Sequence, residues 1–284
     1  LVRPPGFEPG SSAWRDPKIS FFALKEPFKV FLSKYNPKTA FCVLSYLERF
    51  VGDRVICSPL DVMEIFRNLS PGQIHHLDRA LRALLNFCLS LGYPEEWIIR
   101  LKRAIPKDPE FIDLRIPEEN EVLESLRKIN SLNSKYRVVW LLCLESGLRL
   151  IEVVNLVNQF DPSRVARLNG FCRAPIASFR GSKSAYYAYF TEETLKQILE
   201  SRNLTYDSAD VYFRKRKILR PKYLRKFAFH KMVELGVPES VADFIQGRTP
   251  RTVGARHYMN LVKQADQHYP KYVEYIKKLR EKSQ

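Results

Sequence analysis

The chain has 284 residues, 45% hydrophobic and 27% charged, and its 47 Lys or Arg against 31 Asp or Glu give a formal net charge of +16. That length suggests two domains, each large enough for its own core. The positive excess calls for a polyanionic partner, nucleic acid first, because each cation set on a phosphate releases counterions. The longest apolar run, Val138 to Leu144, is far short of a membrane span, and Cys42, Cys57, Cys88, Cys143 and Cys172 are scattered and never spaced as C-x-x-C, so neither a zinc site nor a disulfide framework is indicated. Reduced thiols and the lack of a signal-peptide layout place the chain in the cytoplasm, and the positive excess is what would associate it with DNA there.

The opening stretch, LVRPPGFEPGSSAWRDP, is crowded with proline and glycine and has no periodicity, so residues 1–18 read as a disordered or extended tail. Gly6-Phe7-Glu8-Pro9 can be encoded by GGG TTC GAA CCC, which matches the T-arm of a tRNA gene. Residues 19–103 then read as a domain of four or five helices with no strand signal. Asn36-Pro37 pairs a cap residue with a proline at the first helical position, ahead of Ala40, Val43, Leu44, Leu47 and Phe50. Ser58-Pro59 with Asp61 opens a second helix, whose apolar face is read as Leu60, Met63, Phe66 and Leu69. Ile74, Leu77, Leu81, Leu84, Leu85 and Cys88 form the longest stripe. Basic residues on the polar faces (Lys34, Lys38, Arg67, Arg79, Arg82, Arg100, Lys102, Arg103) could follow a DNA backbone, although a charged face is more often simply solvated.

Three prolines break every period between residues 104 and 117, which read as a linker. The second domain, 118–268, opens with a helix marked by Val122, Leu126 and Ile129. A buried helix from Tyr136 to Ser146 follows, with Gly147 as its C-cap. Arg149 then stands at the start of a new helix, where the dipole favours an anion. An i, i+3 surface pair with Glu152 is the plainer reading, but it leaves unexplained an arginine among so many apolar neighbours. Phe171 to Phe190 carries the sheet signal, two aromatic-rich runs around an Arg180-Gly181-Ser182-Lys183 turn with Lys183 at its exit. Between Arg214 and Lys231 lie nine Lys or Arg and no acid: Arg214, Lys215, Arg216, Lys217, Arg220, Lys222, Arg225, Lys226 and Lys231. That run reads as a phosphate-binding surface, with Pro221 opening a helix on which Lys222 and Arg225 share a face. Pro238 to Gly247 reads as a short helix and 269–284 as a basic amphipathic one with Tyr272, Val273, Ile276 and Leu279.

The chemistry is expected between Ile245 and Asn260, IQGRTPRTVGARHYMN. A phenol with an ordinary pKa of about 10 is a poor nucleophile at neutral pH, so a tyrosine that attacks a phosphate needs cations that favour phenolate. Here Tyr258 follows Arg248, Arg251 and Arg256. In chain order Arg149, Lys183, Lys222, Arg225, Arg248 and Tyr258 form a series of cations closed by one tyrosine. With E-S-G-L-R-L-I-E-V-V-N-L, the R-G-S-K turn, K-Y-L-R, and Q-G-R ten residues before Tyr258, the stretch from Glu118 to Asn260 resembles the catalytic domain of the tyrosine recombinase (phage integrase) family. Lys222 and Arg248 stand where most members have histidine, or histidine or tryptophan. In this the chain resembles the integrases of archaeal fuselloviruses and related plasmids, which carry their attachment site inside their own gene, over a host tRNA gene.

The resemblance implies a mainly α fold with a small β-hairpin or sheet: a helical core-binding domain closing a clamp with a mixed α/β catalytic domain, and a last helix that contacts a neighbouring protomer. It implies a site-specific recombinase acting through a 3′-phosphotyrosyl intermediate, with Tyr258 as nucleophile, Arg149, Arg225 and Arg248 on the phosphate, Lys183 as the acid and Lys222 orienting or deprotonating. No metal or other cofactor is implied. The expected partners are double-stranded DNA attachment sites and three further copies in a homotetramer on DNA, dimeric or monomeric when free, with no membrane. Arg180, Arg214, Lys215, Arg216, Lys217, Arg220, Lys226, Arg251 and Arg256 are expected to contact DNA. A catalytically inactive DNA-binding relative and a type IB topoisomerase-like relaxase are the rival readings; a two-metal nuclease is disfavoured because no clustered carboxylates accompany the basic face.

Overall fold

A computed structural model describes residues 17–107, 113–180, 183–198, 203–248 and 260–283, apart from the side chains at 177, 179, 180 and 183. The chain forms two compact units, divided between Asp113 and Leu114.

Among the described residues the first unit holds five helices: α1 Phe21–Leu32, α2 Pro37–Phe50, α3 Pro59–Ile65, α4 Pro71–Ser90 and α5 Glu95–Ala104. The helix starts are those the sequence marks. Asn36 Oδ1 accepts the Lys38 N–H at 2.9 Å, and the Asp61 carboxylate accepts the Ser58 N–H at 2.8 Å in a capping box. The stripe on α4 is the centre of the core, with Leu77, Leu81, Leu84, Leu85 and Cys88 buried. Two expectations need correction. Ile19–Ser20 (β1) and Val55–Ile56 (β2) pair antiparallel, so the unit is not wholly helical; two-residue strands are too short to show an alternation. The face of α3 read from the sequence is half right: Phe66 is buried and Leu69 packs on the core, but Leu60 and Met63 are 70% and 58% exposed, and Val62 and Ile65 are buried in their place. A helix of seven residues with apolar side chains on several sides does not determine its own phase.

The second unit contains α6 Glu119–Asn130, α7 Ser134–Ser146, α8 Leu150–Asn158, strands β3 Ala166–Leu168, β4 Phe171–Arg180 and β5 Lys183–Thr191, then α9 Glu192–Ile198, α10 Tyr206–Lys215, α11 Pro221–Glu234, α12 Glu239–Ile245 and α13 Leu261–Glu281. The sheet is antiparallel in the order β3-β4-β5, and the β4–β5 register slips between Pro175 and Ser178, next to a proline that has no N–H for the ladder. Helix α10 and strand β3 carry little periodic signal; α10 buries only Ala209 and Phe213.

Helix α7 is the axis of this unit, buried continuously from Val138 to Ser146. The last carbonyls of a helix lack partners inside it, and here two of them are supplied from the far end of the chain. Tyr269 and Tyr272 on α13 donate their phenols to the carbonyls of Glu145 and Leu144 at 3.0 and 2.9 Å. The fully buried Glu145 carboxylate accepts the Thr191 N–H at 2.8 Å and pairs with Arg280, also on α13. The last helix thus begins at Leu261 rather than 269, and the face read on it (Tyr272, Val273, Ile276, Leu279) is buried in its own unit. Any contact with a neighbouring protomer through α13 would use its charged side.

Candidate active site

Gly147 ends α7 in the left-handed region at φ 61°, where glycine meets no Cβ penalty. A Cβ there would also lie 2.3 Å from Nε2 of the buried Gln246. Gly147→Ala is therefore expected to destabilise the protein by about 2 kcal/mol or more, read as a lower urea midpoint with an unchanged slope.

This sharp turn delivers Arg149 to the N-cap of α8. The Glu152 carboxylate accepts both the Arg149 N–H at 2.9 Å and its Nη1 at 2.7 Å. Glu152 is 1% exposed, so the pair is a fixed internal one rather than a surface pair. Arg149 Nη1 also donates to the Gly247 carbonyl at 2.9 Å. From α11, Arg225 Nη1 donates to the carbonyls of Gly147 at 2.7 Å and Gln246 at 2.5 Å, and Gln246 Nε2 returns a bond to the Arg225 carbonyl at 2.8 Å. Arg248 follows α12; its Nη1 lies 3.2 Å from Asp243 Oδ1, and its guanidinium sits 4.8 Å from the centre of the Phe229 ring.

The three guanidiniums interact. Burial, then the charges of Arg149 and Arg248, push the pKa of Arg225 down to about 9, against the pull of Glu152 and Asp243. Arg225 remains a cation at neutral pH. Among the described residues these three cations and two carboxylates leave one net positive charge in a half-buried place, which suits it to hold an anionic phosphodiester and a still more negative transition state.

The structure brings together Arg149, Arg225 and Arg248 among the residues singled out in the sequence. Lys222 is exposed, its ammonium 4.4 Å from the centre of the Tyr223 ring. Tyr258, Arg251, Arg256 and the side chains of Lys183 and Arg180 lie outside the described residues. The basic run divides. Arg214, Lys215, Arg216 and Lys217 are all exposed at the end of α10, whereas Arg220 pairs with Asp210 at 2.9 Å and Lys226 donates to the Arg115 carbonyl at 3.0 Å. In the first unit Arg82 pairs with Asp78, Lys102 donates to Asn86, and the Lys34 ammonium lies 3.6 Å from the centre of the Phe31 ring. Sequence reasoning passed over Asp243, used Gln246 only as part of the Q-G-R motif, and weighed Glu152 only as a surface partner. An acid five residues ahead of an arginine, across a helix end, is a faint signal at best.

Among the described residues no group of three or more His, Cys, Asp or Glu side chains could hold a metal ion, and no helix is long and apolar enough to cross a membrane.

The fold is that of the tyrosine recombinases. The chain superposes on a lambda integrase tetramer bound to a Holliday junction with a TM-score of 0.62 at 13% identity, covering 83% of this chain and 79% of that one. Against a lambda integrase (75–356) dimer bound to a COC′ core site the TM-score is 0.61 at 13% identity, with 81% and 96% covered. No curated protein sequence matches the chain. The sequence model of the archaeal phage integrase family matches residues 114–275, more than half the chain, and the protein belongs to that family of DNA recombinases.

Proposed function

We propose that this protein is a site-specific integrase that cuts and rejoins double-stranded DNA at attachment sites through a covalent link to Tyr258. The phenolate oxygen of Tyr258 attacks the scissile phosphorus, the bond to the 5′ oxygen breaks, and the products are a 3′-phosphotyrosyl link and a free 5′-hydroxyl. Arg149 and Arg225 hold the non-bridging oxygens as charge accumulates on them, with Arg248 assisting. Lys183 supplies the proton to the leaving oxygen and Lys222 orients or deprotonates. Because the covalent link keeps the phosphodiester energy, a second strand's 5′-hydroxyl reverses the step without metal or nucleotide. Four protomers on two duplexes exchange strands in this way through a Holliday junction. Residues 104–117 join the helical DNA-gripping unit to the catalytic one, and the exposed Arg214–Lys217 run contacts the DNA backbone. The tRNA-like coding of Gly6 to Pro9 points to a tRNA gene as the target.

The observation that carries this reading is the half-buried cluster of Arg149, Arg225 and Arg248, which keeps a net positive charge among the described residues. Its test is a nicked suicide duplex of the attachment site, incubated with the protein in EDTA. A denaturant-stable adduct on the 3′ side of the break is expected, together with strand exchange between two such duplexes. Absence of any adduct would leave the inactive DNA-binding relative; adduct with supercoil relaxation but no exchange would leave the relaxase.

A further inference from the structure

Asp243 is 5% exposed and lies in the last turn of α12. A carboxylate there faces the negative end of the helix dipole and pays for lost hydration, so the position is unfavourable unless a cation holds it. The cation is Arg248, which the chain folds back onto the helix: the Arg248 N–H donates to the Asp243 carbonyl at 2.8 Å, and Arg248 Nη1 meets Asp243 Oδ1 at 3.2 Å. The Phe229 ring lies 4.8 Å from the same guanidinium. One edge and one face of the guanidinium are thereby taken, while the Arg248 side chain stays 35% exposed and has donors to spare.

We propose that Asp243 is a positioning residue for strand cleavage: it fixes the rotamer of Arg248 so that the remaining N–H groups are presented to the phosphate beside Arg149 and Arg225. The inference rests on the reading of Arg248 as a phosphate-contacting group. A free arginine side chain loses much rotamer entropy when it is fixed, and a clamp on one edge removes that cost before substrate arrives. The same carboxylate favours the charged form of Arg225, so it also moderates repulsion within the cluster.

Two measurements on the full chain separate positioning from simple folding: the single-turnover rate of adduct formation at saturating suicide duplex, and the Kd for an intact duplex. Arg248→Ala is expected to slow cleavage by about 10- to 100-fold. Asp243→Asn should slow it by about 10-fold with the Kd unchanged or tighter, since a negative charge has been removed near DNA. The double variant should be no slower than Arg248→Ala alone, because a residue that acts through Arg248 has nothing left to position. Asp243→Glu should restore part of the rate, and the urea midpoint of each variant registers any loss of fold. If Asp243→Asn cleaves at the wild-type rate, or if the two substitutions multiply in the double variant, the positioning role is overturned. If Arg248→Ala itself cleaves at the wild-type rate, the assignment of Arg248 fails first.

Discussion

Tyr258→Phe is expected to form no covalent adduct with the suicide duplex, a loss of about 10³-fold or more in single-turnover rate, while binding intact duplex as tightly as the wild type. The substitution removes one oxygen and keeps the ring, so folding and DNA contacts should be unaffected. Three buried phenols of the same unit are poorly placed to take over. Tyr269 and Tyr272 are fully buried donors to helix carbonyls, and burial pushes their pKa values well above the ordinary one. Burial pushes the Tyr189 phenol in the same direction. A Tyr258→Phe protein that still linked itself to DNA would place the nucleophile elsewhere and sink the assignment.

Arg225→Lys should slow cleavage by about 10²- to 10³-fold with little change in affinity for DNA, most of which comes from other cations. One nitrogen of the Arg225 guanidinium is committed to the carbonyls of Gly147 and Gln246, and the rest of the fork is left for substrate. An ammonium cannot keep both carbonyls in that geometry and also reach a phosphate oxygen. It would also meet the burial and the two neighbouring guanidiniums that lower the pKa of Arg225, starting from an ordinary value of about 10.4. A base whose pKa is lowered keeps its proton at low pH and loses it as the pH rises. Any residual rate of the variant should therefore be lost as the pH rises at a lower pH than in the wild type, and a pH–rate profile of adduct formation would show it. Wild-type speed in the lysine variant would mean that charge alone suffices at this position.

The α4 stripe, the caps of α2 and α3, the Gly147 stop and the hairpin were all legible in the sequence, because each depends on residues a few positions apart. Arg149, Arg225 and Arg248 were legible through their order and their motifs. What surrounds them was not. Glu152 looks like half of a surface pair until burial is known, and the contact from Arg149 to Gly247 spans most of the second unit. Charge alone likewise cannot tell Arg214, exposed at the end of α10, from Arg220, whose partner Asp210 lies ten residues back. The phase of α3 and the pairing of β1 with β2 depend on partners too distant, or elements too short, to leave a period.

The arrangement around α7 also makes the order of the chain matter. All six residues proposed for catalysis precede Leu261, so a chain that stopped there would still hold the complete chemical inventory. It would lack the two phenols that finish the end of α7 and the guanidinium that neutralises Glu145. The turn that carries Arg149 leaves from that helix end, over a carboxylate now buried without its counter-charge. The stretch after the proposed nucleophile, which touches no substrate in the proposed reaction, thus supports the helix end from which the arginine cluster is built, and a chain stopped before Leu261 is expected to lose adduct formation along with fold stability.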